Sequence, residues 1–320
     1  MKIFSKLLKL IKEGNSFLLV SHMNPDGDAI GASIALAMGL KQMGKKGICV
    51  LNCNTVPENL IFFPGAKTVR QAPPKKRFDV VILLDCNDPG RTGFKEFNAE
   101  KTAIIDHHVM SEEVDAFYKT TDACLIDTGA ASAGLLVYRV LNALKVTIDK
   151  KIATNLYTSI HVDTGGFRYS NTSPEALMAA AKLLEAGASP WDISKEVYEN
   201  IPYKSIKLLG LSLATVEQKD GISWITTTKD MFDMTGTSAE DSEDFVDFPR
   251  KVRNSEVAVF FREDSKNVYK LSLRSKGRVD VQAVAAKFGG GGHKAAAGCR
   301  LEGTLKQVQQ KVFDALKSVI

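Results

Sequence analysis

Every histidine in the chain lies in a short motif that also holds carboxylates or glycines. The motifs are His22 with Asp26 and Asp28, His107 and His108 directly after Asp106, His161 two residues before Asp163, and His293 at the end of the glycine run 289–292. Imidazole and carboxylate groups hold divalent transition metals, so this distribution predicts a metal centre and hydrolytic chemistry. The alternative is that all five are ordinary core or surface histidines. It would require each of them to lie beside carboxylates or glycines by chance.

The segment from His22 to Asp28 brings one imidazole and two carboxylates together. Asp26 and Asp28 flank Gly27 in an irregular turn, where each could face a different metal ion. Asp85 could then bridge the two ions. Two ions about 3.5–4 Å apart can hold a bridging hydroxide and stabilise the attacking and leaving oxygens of an in-line phosphoryl displacement. The alternative is that Asp26 and Asp28 form only a turn and a helix cap.

His107 and Asp163 would complete the coordination of such a metal pair. Nitrogen together with oxygen ligands suits Mn²⁺, whereas Mg²⁺ prefers oxygen ligands and water. The ligand types therefore favour two Mn²⁺ ions, with Mg²⁺ or Co²⁺ as candidate substitutes.

Secondary structure must position these groups, and the first half of the chain alternates short apolar runs with helical patterns. Strands that are apolar throughout and separated by helices are typical of a parallel sheet covered on both faces, so we predict an α/β fold. The strands are predicted at 17–20, 47–51, 80–84 and 103–105, and the helices at 29–43, 130–144, 150–161 and 173–187.

The candidate metal ligands follow the ends of these predicted strands. His22 and the acidic loop come after the first strand, Asp85 directly after the third, and the segment 106–108 after the fourth. Open parallel sheets bind their ligands beyond the carboxyl ends of the strands. We therefore expect groups that are far apart in the sequence to converge on one edge of the sheet.

The length of 320 residues fits two domains, each large enough to bury its own core. We predict a parallel-sheet domain over 1–187, a linker over 188–204 and a smaller α/β domain over 205–320. The smaller domain has strand-like runs at 222–226, 256–261 and 268–273, and helical patterns at 280–288 and 305–319.

Composition argues against membrane-spanning and disulfide-rich classes. No apolar run approaches the ~20 residues that cross a bilayer. The segment 1–12 is amphipathic and lacks a small-residue cleavage site, so it predicts a helix and not a signal peptide. Five irregularly spaced cysteines are expected to be reduced thiols, which favours the cytoplasm. The net charge of +5 permits an anionic substrate without requiring one.

Four segments of the chain resemble the motifs of the DHH phosphoesterases. They are His22-x-x-Pro25-Asp26-Gly27-Asp28-Ala29-x-Gly31, Asp85, Asp106-His107-His108 and Asp163-Thr164-Gly165-x-Phe167-Arg168. The tail Gly290-Gly291-Gly292-His293-x-Ala295-Ala296-x-Gly298 resembles the motif of the associated DHHA1 domain. These motifs span nearly the whole chain in the expected order, and the length and layout are most similar to the bacterial nanoRNase type.

The resemblance implies two Mn²⁺ ions, a DHH domain and a mobile DHHA1 domain. The implied ligands of the first ion are His22 and Asp26, and those of the second are Asp28 and His107. Asp85 and Asp163 would be shared, or nearly shared, by the two ions. Asp106 would orient His107. His108 would face the scissile phosphate or the leaving oxygen.

The resemblance also implies substrate contacts in the DHHA1 half. They are the backbone amides of Gly290, Gly291 and Gly292, the side chain of His293, and Arg274, which would hold a terminal phosphate bidentately. Without the resemblance, the glycine run would be a flexible loop and Arg274 a surface arginine. His161 is expected to pack in the fold rather than bind metal. Many relatives carry an acidic residue where this chain has the segment 131–134, which bears on substrate preference.

The implied function is a Mn²⁺-dependent phosphoesterase that cleaves short oligoribonucleotides and removes the 3′-phosphate of pAp through a metal-activated hydroxide. A hydrolase of pApA or cyclic dinucleotides is the enzymatic alternative. An inactive nucleotide-binding regulator is the alternative from another class, although every expected ligand position is filled. A long-strand DNA exonuclease lacks support because no added strand-binding domain is indicated, and the glycine–histidine tail disfavours a family II pyrophosphatase. We expect nucleotide substrates and no membrane partner, with a homodimer as one assembly to test.

Overall fold

Five parallel strands form the sheet of the first of two compact units, which ends at Asn200. A computed structural model describes residues 2–109 and 115–320, with the side chains of 2, 3, 115, 116 and 293 outside that description. The strands are β1 (Ser16–Val20), β2 (Gly47–Leu51), β3 (Phe78–Leu84), β4 (Ala99–Asp106) and β5 (Ala123–Ile126), in the order β2-β1-β3-β4-β5. Because all neighbours pair in parallel, the carboxyl ends of the strands lie at one edge.

The helices of this unit begin mostly at side chains that accept hydrogen bonds from the first turn. The helices are α1 (Lys2–Glu13), α2 (Gly27–Gln42), α3 (Asp115–Thr120), α4 (Ala133–Ala143), α5 (Lys150–Asp163), α6 (Pro174–Glu185) and α7 (Pro190–Tyr198). Asp26 caps α2, Ser132 caps α4 and Asp149 caps α5. The caps fix where α2 and α4 begin, and both beginnings belong to the candidate site.

Both faces of the parallel sheet are covered. Leu19 and Ile82 belong to a core that includes side chains of α1, α2, α4, α5 and α6. Leu18 and Leu83, on the opposite face, pack with Phe94 and with aromatic rings of α3. Burial on both faces explains the continuous apolar runs 17–20 and 80–84 within β1 and β3, and the predicted α/β class is confirmed.

The second unit, from Ile201 to the end of the chain, is built on a mixed sheet. Its strands are β6 (Glu217–Lys219), β7 (Ile222–Thr227), β8 (Val257–Ser265), β9 (Val268–Ser275), β10 (Gly291–His293) and β11 (Ala296–Glu302), in the order β10-β11-β9-β8-β7-β6. Its helices are α8 (Tyr203–Leu213), α9 (Lys229–Thr235), α10 (Asp247–Arg250), α11 (Val281–Ala286) and α12 (Leu305–Lys317). Strands β7 and β8 are parallel and the other pairs antiparallel. Helices α11 and α12 cover one face of this sheet, and α8 packs with the core of the other.

The structure adds elements that the sequence patterns did not predict, among them β5, β10 and β11. The segment 188–204, which the sequence predicts as a linker with a helix starting near Ser189, contains helix α7. The domain limits of 1–187 and 205–320 stay predictions. In the parts of the chain described, no helix is both long and apolar enough to span a bilayer.

Candidate metal centre

The loop after β1 carries His22, and polar side chains fix both ends of this loop. Asn52, the residue directly after β2, donates from Nδ2 to the carbonyl oxygen of His22 at 2.7 Å. Asp26 Oδ1 accepts from the amides of Asp28 and Ala29 at 3.0 Å each. Asp26 therefore forms the helix cap that was the alternative to metal binding, and this cap holds Asp28 in the first turn of α2 without excluding either residue as a ligand.

Asp85 follows β3 directly and lies between histidines from two different loops. Its Oδ2 is 3.3 Å from Nε2 of His22, and its Oδ1 is 3.3 Å from Nε2 of His107. The residue is buried and has a φ of +55°, in the left-handed region that few residues other than glycine adopt. Backbone strain of this kind clusters at functional sites.

Asp106, the last residue of β4, organises the two histidines that follow it. Its Oδ1 accepts from the amide of His107 at 2.8 Å and from the amide of His108 at 3.2 Å. The same oxygen lies 2.7 Å from Nδ1 of His108. The carboxylate thus contacts the ring of His108 and the backbone of His107, whereas the sequence prediction had Asp106 orient His107.

His107 also lies beside two further carboxylates. Its Nε2 is 3.6 Å from Oδ2 of Asp28 and 3.5 Å from Oδ2 of Asp163. Asp28 lies at the start of α2 and Asp163 is the last residue of α5. Because α2 and α5 pack against each other, carboxylates far apart in the sequence meet at one imidazole.

Among the described residues, these side chains form three groups compact enough to hold a metal ion. Within each, the ligand atoms lie no more than 4.8 Å apart. The first ligand group is His22, Asp26 and Asp85, the second is Asp28, His107 and Asp163, and the third is Asp85, His107 and His108. The buried Oδ1 of Asp85 accepts no hydrogen bond from the described residues, although imidazole nitrogens of His107 and His108 lie 3.3 Å away. A buried carboxylate oxygen without a hydrogen-bond donor, facing two nitrogen ligands, fits a cation.

Burial opposes the positive charge of His22 and His107, but the neighbouring carboxylates outweigh burial. Contact with Asp85 raises the pKa of His22 to about 9. Contact with Asp85 and the charge of Asp28 raise the pKa of His107 to about 10. Burial raises the pKa of Asp163 to about 7, an effect that the charge of His107 opposes. The site therefore stabilises positive charge, as a cation-binding centre requires.

Comparison with known proteins identifies the family to which these residues belong. The protein-family model described as "DHH family, N-terminal domain" matches residues 16–160. The family model described as "DHHA1 domain" matches residues 228–320. The bifunctional oligoribonuclease and PAP phosphatase NrnA of Thermus thermophilus is 33% identical over 99% of this chain and 93% of its own length. The chain belongs to the DHH family.

Other relatives match this DHH protein over nearly its full length. The bifunctional oligoribonuclease and PAP phosphatase NrnA of Bacillus subtilis is 25% identical over 93% of both chains. The crystal structure of an exopolyphosphatase-related protein from Bacteroides fragilis superposes with a TM-score of 0.90 at 27% identity, covering 99% of this chain and 96% of that one. The predicted resemblance is confirmed, and the protein is a phosphoesterase of the hydrolase class.

The predicted substrate residues of this DHH protein lie in the second unit. Arg274 in β9 pairs with Ala296 of β11, and Ala296 pairs on its other side with His293 of β10. Arg274 and His293 therefore occupy one cross-strand row of the sheet. The side chain of His293 lies outside the described residues, so its predicted contact with substrate stays a prediction.

The glycine run before His293 has a structural reason of its own. A β-carbon on Gly290 would lie 2.2 Å from the carbonyl oxygen of Gly298, and one on Gly292 would lie 2.4 Å from that of Ala296. Glycine thus permits the segment 290–292 to approach β11 closely at two positions. Gly291 has open space around its Cα, and the amide contacts predicted for the run stay predictions.

His161 packs in an aromatic cluster of the first unit. Its ring stacks on Tyr157 with centroids 5.6 Å apart and makes tilted or edge contacts with Phe167 and Tyr198. None of the three ligand groups found among the described residues includes it. This position agrees with the packing role expected from the sequence.

Two residues that contact the centre were missed in the sequence: Asn52, and Ser159, which donates from Oγ to Oδ1 of Asp28. Asn52 follows β2 directly, so the rule that selected polar residues at strand ends could have found it. Ser159 lies one helical turn before Asp163 in α5, and residues spaced by four share a helix face. That spacing was the available signal for Ser159.

Proposed function

We propose that the protein is a Mn²⁺-dependent phosphoesterase that hydrolyses short oligoribonucleotides to mononucleotides and the bisphosphate pAp to AMP. The observation that carries the proposal is the sharing of Asp85 and His107 among adjacent ligand groups. Adjacent sites with shared ligands are what a pair of divalent cations requires. The names of the Thermus thermophilus and Bacillus subtilis relatives support the two substrate classes.

The ligand groups divide between two cations in this proposal. We assign His22, Asp26 and Asp85 to the first cation and Asp28, His107 and Asp163 to the second, with Asp85 between them. The mixture of imidazole and carboxylate suits Mn²⁺, with Mg²⁺ or Co²⁺ as candidate substitutes. When bound, the cations would supply an activated water and neutralise the charge that develops on the phosphate oxygens.

His108 would act on the leaving group, held in place by Asp106. Their contact at 2.7 Å uses Nδ1 of His108, so Nε2 would face the scissile phosphate. Hydrolysis forms a bond from a water oxygen to phosphorus and breaks the bond from phosphorus to the 3′-oxygen. His108 would donate the proton that this oxygen takes up as it leaves, and the proton that the attacking water loses would pass to solvent, from which His108 is reprotonated.

The second unit would hold the far end of a short nucleotide substrate. Arg274 would bind a terminal phosphate with two parallel hydrogen bonds. The amides of Gly290, Gly291 and Gly292 and the side chain of His293 would hold a further phosphate or base. We place this activity in the cytoplasm, which the five free cysteines support. A homodimer stays a prediction.

A substrate panel tests the proposed function. Diribonucleotides, pAp, pApA, cyclic di-AMP and pyrophosphate are each incubated with the protein and Mn²⁺, and we expect diribonucleotides and pAp to be cleaved. Asp85→Ala removes a carboxylate from two ligand groups and should abolish turnover. Asp79→Asn is the matched control, since Asp79 is the second residue of the same strand and accepts from the amides of Asn15 and Ser16. It should keep activity.

Each other result has a definite meaning. Faster cleavage of pApA or cyclic di-AMP would replace the proposed substrates with dinucleotide signals. Nucleotide binding without any turnover would identify a regulator. Full activity in Asp85→Ala would show that the metal assignment is wrong.

A further inference from the structure

The carboxylate of Asp28 is held by hydrogen bonds from two other helices. The amide of Ala133 donates to Oδ2 at 2.7 Å, and the amide of Gly134 donates to Oδ1 at 2.9 Å. Ser159 donates from Oγ to Oδ1 at 2.5 Å. Asp28 and Ser159 are both buried, so water does not compete for these bonds.

The three donors are shared unequally between the two oxygens of Asp28. Oδ1 receives two hydrogen bonds, from Gly134 and Ser159, and Oδ2 receives one, from Ala133. An ionised carboxylate oxygen accepts about two hydrogen bonds, so Oδ1 is saturated and Oδ2 keeps one acceptor position. Oδ2 is also the oxygen that lies 3.6 Å from Nε2 of His107.

We propose that Asp28 binds the second cation through Oδ2 alone and that Ser159 is the positioning residue that fixes this orientation. The inference deepens the proposed function and rests on its second ligand group. With Oδ1 occupied by protein donors, rotation of the carboxylate would break a buried hydrogen bond and leave its donor unpaired, which is unfavourable.

Helix α5 carries both Ser159 and Asp163, one turn apart, so one rigid element supplies a ligand and orients another. Ser132, the cap of α4, lies 3.3 Å from Ser159 through their hydroxyl oxygens and accepts from the amide of Leu135. Hydrogen bonds therefore connect Ser132 at the start of α4 to Ser159, and Ser159 to the carboxylate of Asp28. Partners of this kind typically change metal affinity by about 10–100-fold when they are removed.

The test is a Mn²⁺ titration of the Ser159→Ala variant. Electron paramagnetic resonance of the free ion and calorimetry both monitor the titration. We expect two bound ions, the first at wild-type affinity and the second weakened about tenfold or more. Repeating the titration in a His22→Gln background, which removes a ligand of the first group only, assigns the weakened site. Ser33→Ala is the matched control, because Ser33 is a buried serine of α2 whose hydroxyl has no partner among the described residues. It should bind both ions as the wild type does.

A second variant keeps the test decisive if Ser159→Ala folds poorly. Ser159→Cys has a side chain of similar size with a weak donor, and it should weaken the same site to a smaller extent. Wild-type affinity at both sites in either folded variant would overturn the role of Ser159. Fewer than two ions bound by the wild-type protein would instead overturn the proposed function.

Discussion

A β-carbon built on Gly134 would lie 1.8 Å from the hydroxyl oxygen of Ser159 and 2.6 Å from its Cβ. Contacts this short do not occur, so the start of α4 approaches α5 as closely as it does only because residue 134 is glycine. The same closeness brings the amide of Gly134 and the hydroxyl of Ser159 to one oxygen of Asp28. The absence of a side chain at this position is thus part of how the centre is built.

Gly134→Ala should lower both the Mn²⁺ affinity of the second cation site and the free energy of unfolding. The added methyl group must displace Ser159, and overpacking of a core typically costs about 1–3 kcal/mol. Gly210→Ala is the matched control, because the glycine in α8 has open space around it and alanine is the better helix former. It should stabilise the protein by up to about 1 kcal/mol. Urea unfolding and Mn²⁺ titration measure both effects, and unchanged Mn²⁺ affinity in Gly134→Ala would contradict the expectation.

The candidate ligands could be predicted from the sequence because each follows an element with a strong local pattern. Asp85 comes directly after the apolar run 80–84 that ends β3, and Asp106 follows the apolar run 103–105 at the end of β4. The parallel arrangement then places their side chains at one edge. The donors to Asp28 have no such pattern, since two of them are backbone amides of α4 and the third comes from α5.

Short strands were the part of the fold that local pattern could not predict. Strand β5 has only four residues, and Asp122 and Asp127 bound its apolar run directly on both sides. Strand β10 consists of Gly291, Gly292 and His293, and glycine has low intrinsic strand preference. It becomes a strand through its pairing with Ala296–Gly298 of β11, which is a tertiary contact.

Replacing Arg274 should affect substrate binding without affecting metal binding. Arg274→Met removes the charge and the paired donors while keeping an unbranched chain, and a charge-assisted pair is worth about 1.5–3 kcal/mol. We therefore expect the KM for pAp to rise by at least about tenfold, with two Mn²⁺ ions still bound. Arg253→Met removes an exposed arginine of the same unit and should leave the KM unchanged. An unaltered KM in Arg274→Met would remove this residue from the proposed substrate site.

Arg139 should make stability depend on pH in the acid range. It lies 2.6 Å from Asp127 through Nη1 and 2.6 Å from Glu175 through Nε. Hydrogen bonds from Arg139 lower the pKa of both acids, so their contribution is present above their ordinary pKa values near 4 and is lost as the pH falls further. Arg139→Met should lower the free energy of unfolding by about 1 kcal/mol at pH 7. The effect is small because the two acids are partly exposed.

Urea unfolding at several pH values measures this dependence. The difference between Arg139→Met and the wild type should shrink as the pH falls below about 4. Lys182→Met is the control, since Lys182 pairs with Glu185 on an exposed face of α6 and should change stability little. A difference that stays constant down to pH 3 would show that packing of the arginine stem, not its charge, is responsible.

His108→Gln separates a substrate-facing role from a metal-ligand role. Asp106 contacts His108 through Nδ1, yet Asp85 Oδ1 lies 3.3 Å from the same nitrogen, so the third ligand group offers His108 as a ligand. If His108 donates a proton to the leaving oxygen, His108→Gln should bind two Mn²⁺ ions at wild-type affinity and turn over at least about 100-fold more slowly. His107→Gln should instead weaken the second cation site. A Mn²⁺ ion lost from His108→Gln would mean that the third group coordinates metal, and the general acid would then have to be sought elsewhere.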